Sequence, residues 1–99
     1  MAIYQIVFCK IHDRDRFIPE YAIPTSKLVA KHGGDYVVRA PGLSRLEGDV
    51  DENTSVVISK WPDLQTLEAM WTSPEYETLK QLRRETSDAQ IVVVEQPDT

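Results

Sequence analysis

Five side chains in this sequence have the types needed to hold and act on a small organic molecule: His12, Tyr21, Arg39, Glu47 and Trp71. A guanidinium clamps a carboxylate or phenolate oxygen in fork geometry, which makes Arg39 the candidate anchor for an anionic group. Tyr21 and Trp71 offer flat, largely apolar surface for the walls of a cleft. An imidazole titrates near neutrality, so His12 is the candidate general base, with Glu47 as a second proton carrier. His12 and Glu47 are thus the candidate catalytic pair, and Arg39, Tyr21 and Trp71 the candidate substrate-binding set. A plainer reading uses the same residues: Arg39 and Glu47 pair as ions on one bent strand, Trp71 fills the core, and His12 is a solvated strand end. What separates the two is whether His12 or Glu47 lines a pocket. Without them, no group in the set has an ordinary pKa suited to proton transfer near pH 7.

Other chemistries find less support. His12 closes the first strand and His32 the first helical segment, which places them toward opposite ends of a subunit, so no metal is expected. The run Asp49-Val50-Asp51-Glu52-Asn53 begins like a calcium loop, but Thr54 stands where glycine is needed and Lys60 where a bidentate glutamate is needed; it reads as an acidic turn. Gly33-Gly34 follows a helix and lacks the spacing of a phosphate cradle, and no Gly-x-Ser-x-Gly nucleophile turn occurs. Cys9, the one cysteine, lies in the apolar run Ile6-Val7-Phe8-Cys9 and reads as a core residue. No cofactor is expected.

The elements that must position these residues come from a chain of 99 residues and 11.3 kDa, enough for one core. A single domain over 1–96 is expected, with 97–99 as a frayed tail. The formal net charge is −5, which disfavours phosphate backbones and hence nucleic acid. The one dense basic cluster, Lys80, Arg83 and Arg84, is expected on a solvated helix face. No apolar run approaches the length of a membrane span, and no secretory pattern opens the chain, so a cytoplasmic protein without membrane partners is expected.

Residues 3–11 read as a strand apolar on both faces. Residues 13–32 read as helical, capped by Asp13, interrupted by Pro19 and Pro24, and ended by Gly33-Gly34. Residues 35–39 and 43–49 read as one strand bent at Ala40-Pro41-Gly42, followed by a turn at Asp51-Glu52-Asn53 and a strand over 55–61. Asp63 caps a helix with Leu64, Leu67 and Trp71 on one face. Ser73-Pro74-Glu75 opens a second helix carrying Tyr76, Leu79 and Leu82. Residues 90–95 form the last strand.

The order strand–helix–strand–strand–helix–strand is the split βαβ, ferredoxin-like α+β pattern: a four-stranded antiparallel sheet with helices on one face. Strands 3–11, 55–61 and 90–95 are apolar on both faces, so a monomer would leave a large apolar surface bare. A second copy laid sheet to sheet removes that surface, and a homodimeric α+β barrel is expected.

Two stretches carry a family resemblance. One is His32-Gly33-Gly34-Asp35-Tyr36-Val37-Val38-Arg39, continuing to Leu46-Glu47-Gly48-Asp49. The other is Trp61-Pro62-Asp63-Leu64, leading into Ser73-Pro74-Glu75-Tyr76 and Leu82-Arg83. In order and spacing they resemble the bacterial family known as domain of unknown function 1330, over nearly the whole chain. The resemblance implies a dimeric α+β barrel of ferredoxin-like subunits. The wider superfamily includes cofactor-free monooxygenases, haem-degrading enzymes, isomerases and dehydratases. Lys60, Ala40-Pro41 and Pro19 depart from the family pattern. The functional expectation is a small dimeric protein binding an aromatic or carboxylated metabolite, either as a cofactor-free enzyme or as a non-catalytic binding module.

Overall fold

The computed structural model describes residues 1–98; Thr99, the end of the expected frayed tail, lies outside the described residues. Strand β1 (Ala2–Ile11) is followed by α1 (Arg14–Phe17), a π-helical stretch (Ile18–Ala22) and α2 (Ile23–Lys31). Then come β2 (Asp35–Ala40), β3 (Ser55–Trp61), α3 (Leu64–Trp71), α4 (Pro74–Thr86) and β4 (Ser87–Gln96). The four strands form one antiparallel sheet in the order β2-β3-β1-β4. This is the ferredoxin-like arrangement.

Local chemistry accounts for most of these boundaries. Asp13 accepts from the Arg16 N–H, and Asp63 accepts from both the N–H and the hydroxyl of Thr66. Ser73 Oγ accepts from the Tyr76 N–H, with Pro74 as the first helical residue. Pro19 has no N–H to give to a helical bond, and the chain widens there into the π turn, where the Ile23 N–H reaches the Ile18 carbonyl five residues back. The two glycines after α2 serve different needs. Gly33 takes φ +88°, the left-handed cap. A Cβ on Gly34 would stand 2.8 Å from both Trp61 and Val29, so only glycine lets β2 start beside the buried indole.

Pleating divides β1 in two. Ile3, Gln5 and Cys9 are buried beneath the helices, whereas Tyr4, Ile6 and Phe8 point to the other side. Beneath the helices, Ile3, Leu28, Val29, Trp61, Leu67, Met70 and Tyr76 form the core, and Trp61 Nε1 donates to Ser59 Oγ at 2.9 Å. The opposite face carries no helix. The register sets Ile6 against Ile58 on one side and Val92 on the other, and Phe8, Val38, Val92 and Val94 remain 38–49% exposed. The molecule is a slab of 34 × 33 × 16 Å. It exposes 6370 Å², above the roughly 5,700 Å² expected of a folded monomer of this mass.

Three sequence expectations need correction. Residues 43–49 are not strand: β2 stops at Ala40, and 41–54 fold as a loop in which Glu52 accepts from the Leu43 and Arg45 N–H groups. That segment has no neighbouring strand to pair with, and Gly48 takes φ +97°. The strand irregularity lies instead between Tyr36 and Val38, where the register with β3 slips. On α3, the buried pair is Leu67 and Met70, and Leu64 is exposed. On α4, the buried positions are Tyr76, Lys80, Arg83 and Thr86, at spacings of 4, 3 and 3, so two members of the basic cluster face inward and only Arg84 is exposed.

Candidate functional site

A cavity of about 250 Å³ lies between the helical layer and the sheet. Its floor is the helix-facing side of the strands: Gln5, Val7, Cys9 and Ile11 of β1, Ser55 and Val57 of β3, and Ile91 of β4. Tyr36 and Arg39 of β2 close one side. Its roof comes from Arg14 and Phe17 of α1, Ile18, Tyr21 and Ala22 of the π turn, Thr25 and Val29 of α2, Met70 of α3, and Tyr76 and Arg83 of α4. The π turn carries Tyr21 onto the cavity wall, a placement that a wider turn favours by re-aiming its side chains.

Two phenols meet in the roof. The Tyr21 and Tyr76 hydroxyls share a hydrogen bond of 2.7 Å, and Phe17 packs on Tyr21 with ring centroids 5.0 Å apart. Burial pushes the Tyr21 hydroxyl well above the usual tyrosine pKa, and the neighbouring Tyr76 adds to the effect. Burial also raises Tyr76, against the hydrogen bond from Tyr21 and the attraction of Arg83, and raises Tyr36, against the attraction of Arg39. At neutral pH these phenols are protonated and offer hydroxyls. The Cys9 thiol is likewise held up by burial, with Ser87 and Arg83 acting in the opposite direction, which makes it a poor nucleophile.

The cations are held by aromatic faces. The Arg39 guanidinium lies 4.5 Å from the Tyr36 ring centroid, and Lys80 Nζ lies 4.4 Å from that of Trp71. Arg83 lies 5.9 Å from Trp71, which itself packs on Tyr76 with ring centroids 5.3 Å apart. Lys80 also pairs with Glu77 at 3.3 Å. Arg83 has no such counterion among the described residues. It is 7% exposed, and its Nε is buried without a hydrogen-bond partner.

The five residues singled out in the sequence are therefore divided. Tyr21 and Arg39 come together on the cavity wall. Trp71 stands behind the wall, and with Arg83, Arg84, Ser87 and Asp88 it borders a separate groove. His12 is exposed just beyond β1, its N–H bonded to the Thr86 carbonyl at 3.0 Å. Glu47 is exposed in the 41–54 loop, off the strand that carries Arg39. His32 caps α2, with Nδ1 3.1 Å from the Leu28 carbonyl. No group of three or more His, Cys, Asp or Glu gathers as a metal site among the described residues, and no helix there is long and apolar enough to cross a membrane. Sequence reasoning missed Arg83 and Tyr76 as wall residues. Their spacing of seven, two helical turns, is the signal that sets them on one face.

This cavity sits in a fold with known relatives. The family model Domain of unknown function (DUF1330) matches residues 2–97. The chain belongs to this family. Among curated proteins, none is significantly similar to this DUF1330 chain. Several solved structures share its fold. A protein of unknown function from Rhodopseudomonas palustris is 16% identical, with 99% of this chain and 84% of that one covered and a TM-score of 0.79. A dimeric ferredoxin-like protein of unknown function from Jannaschia sp. CCS1 is 13% identical, with 97% and 100% covered and a TM-score of 0.76. SnoaB, a cofactor-independent oxygenase from Streptomyces nogalater, is 15% identical, with 99% and 95% covered and a TM-score of 0.70. The DUF1330 chain thus has a ferredoxin-like α+β fold, shared by a dimeric protein and by a cofactor-independent oxygenase. At these identities the likeness speaks for the fold alone.

Proposed function

We propose that this DUF1330 chain is a single-domain, homodimeric small-molecule-binding protein that takes an aromatic or carboxylated metabolite between its helices and its sheet. The observation that carries this reading is the cavity of about 250 Å³, walled mainly by apolar and aromatic side chains with a few hydroxyls and guanidinium groups among them. In it Tyr21 packs the ligand ring, Arg39 approaches its anionic edge, and Trp71 supports the wall from behind. The dimer forms through the helix-free sheet face, whose exposed apolar residues are those a second copy would cover. The dimeric Jannaschia protein supports this pairing by analogy of fold.

A catalytic reading assigns proton transfer to His12 or Glu47 and draws on the analogy with the cofactor-independent oxygenase SnoaB. Both residues are exposed and outside the cavity wall of the subunit, so the geometry favours binding over acid–base catalysis by this pair. Native mass spectrometry of the protein purified without added ligand tests the binding reading. The expected result is a mass near twice 11.3 kDa carrying a small, removable extra mass. Val57→Phe, which fills the cavity from its floor, is expected to lower that occupancy at least tenfold. A monomer, or an adduct retained by the filled variant, would overturn it. His12→Ala is expected to change thermal stability only; loss of a ligand-dependent reaction would favour the catalytic reading.

A further inference from the structure

The charge of the cavity is opposite to that of the chain. The protein carries a net −5, yet three arginines, Arg14, Arg39 and Arg83, line the cavity, and no aspartate or glutamate does. None of the three pairs with a carboxylate among the described residues. Arg14 and Arg39 are exposed, and water solvates them. Arg83 is not: it is 7% exposed, with Nε unpartnered; the Trp71 face offers it partial compensation, and Asp88, on the neighbouring groove that Arg83 also borders, makes no ion pair with it. A buried guanidinium without a counterion is costly, and breaking such a pair by removing its anion costs more than the pair itself gains. The Thr25 hydroxyl, also on this wall and 7% exposed, has only the Tyr21 phenol beside it. A donor-rich, acid-free wall around an apolar space is the complement of an organic anion.

We propose that Arg83 is the buried anchor for the negative group of a monoanionic aromatic ligand, a carboxylate or a phenolate, with Arg39 and Arg14 drawing the anion in from the solvent side. This rests on the cavity being a ligand site. It goes further in making the ligand's charge, and not its ring alone, the basis of selection, and in assigning the anchor to a residue whose sequence context reads as a solvated helix face. Arg83 supplies the two-pronged donor geometry that suits a carboxylate.

Isothermal titration calorimetry with 2-naphthoate, 2-naphthol and the neutral isostere 2-naphthamide tests the assignment, with Val57→Phe as the control for location. The dimeric wild-type protein is expected to bind 2-naphthoate at least tenfold more tightly than 2-naphthamide. Arg83→Met keeps the packing of the arginine stem and is expected to erase that preference, leaving amide affinity within a factor of two. It is also expected to leave the melting temperature of the ligand-free protein unchanged or higher, because an uncompensated buried charge is gone. Arg83→Lys, which keeps the charge, is expected to retain a preference for the anion and serves if the methionine variant does not fold. Repeating the 2-naphthol titration above and below its own pKa separates a phenolate site from a carboxylate-only site. Equal binding of acid and amide, both blocked by Val57→Phe, would overturn the charge assignment and leave the cavity as a ligand site. No binding of any probe, or binding that survives Val57→Phe, would overturn both.

Discussion

On one side of β1, Ile3, Gln5 and Cys9 lie under helices; on the other, Tyr4, Ile6 and Phe8 stand on a face that no element of this chain covers. The covered side is chemically mixed. It holds Trp61 and Met70, nearly inaccessible, beside serines, threonines, phenols and arginines around a cavity. The uncovered side is simpler, with apolar residues at successive outward positions of β1 (Tyr4, Ile6, Phe8), β3 (Val56, Ile58) and β4 (Val92, Val94). An antiparallel sheet with one free face usually turns polar residues outward, whereas here apolar residues stand on both faces and the inner one also carries polar groups. An inner face with Ser55, Ser59, Arg83 and Thr86 at buried positions suits the proposed ligand site better than packing alone. An outer face that leaves Val92 and Val94 nearly half exposed is the surface that the proposed dimer would cover.

The largest expected effect comes from charging the outer face. Ile6→Lys sets an ammonium among Ile58 and Val92. For the proposed homodimer it is expected to weaken association by at least a hundredfold, about 3 kcal/mol or more, while each chain keeps its fold. Sedimentation equilibrium reads the first and circular dichroism the second, and an undisturbed dimer would mean that this face is not the interface.

Truncation sharpens the contrast within one subunit. Met70→Ala, at a position 1% exposed, is expected to cost about 2–5 kcal/mol in urea unfolding. Val94→Ala, at 43% exposure on the outer face, is expected to cost under about 1 kcal/mol in a monomeric background. Equal losses would erase the distinction between a packed face and a bare one.

The smallest effect is a pH dependence confined to the inner face. Tyr21, Tyr36 and Tyr76 hold their protons more tightly when folded than when unfolded. The stability this contributes is fully present below the unfolded tyrosine pKa of about 10 and is lost as pH rises through the folded values. Unfolding free energies measured between pH 9 and 11 are expected to decline, less steeply in Tyr21→Phe, and 295 nm absorbance is expected to show late tyrosinate formation. A flat profile would mean that the phenols are not shielded.

Much of this was legible in the sequence because it depends on neighbours a few residues apart. Asp13, Asp63 and Ser73-Pro74 mark helix starts by capping chemistry, and Gly33-Gly34 marks a helix end. β3 over 55–61 is set by its run of β-branched residues, and two-faced apolar strands point to a bare sheet surface. The errors arose where local pattern met longer-range pairing. Leu43-Ser44-Arg45-Leu46-Glu47 has the composition of a strand, but no neighbouring strand pairs with it, so it became a loop and took Glu47 away from Arg39. Lys80 and Arg83 are charged and fall in a charge run, which hides the seven-residue spacing that sets Arg83 on the same face as Tyr76.

By itself, then, the sequence determined the element order, the caps, the fold class and the surplus of apolar strand surface, since propensity, capping and alternation act over one or two turns of chain. Only the tertiary structure decided which side of α4 is inside, that Tyr21 and Tyr76 meet across 55 residues of sequence, and that an acidic chain encloses a cavity lined by arginines. Those features depend on the angle at which α4 and the π turn pack on the sheet. That angle is set by the combined fit of Trp61, Met70 and Trp71 with their neighbours, and no local stretch of residues records it.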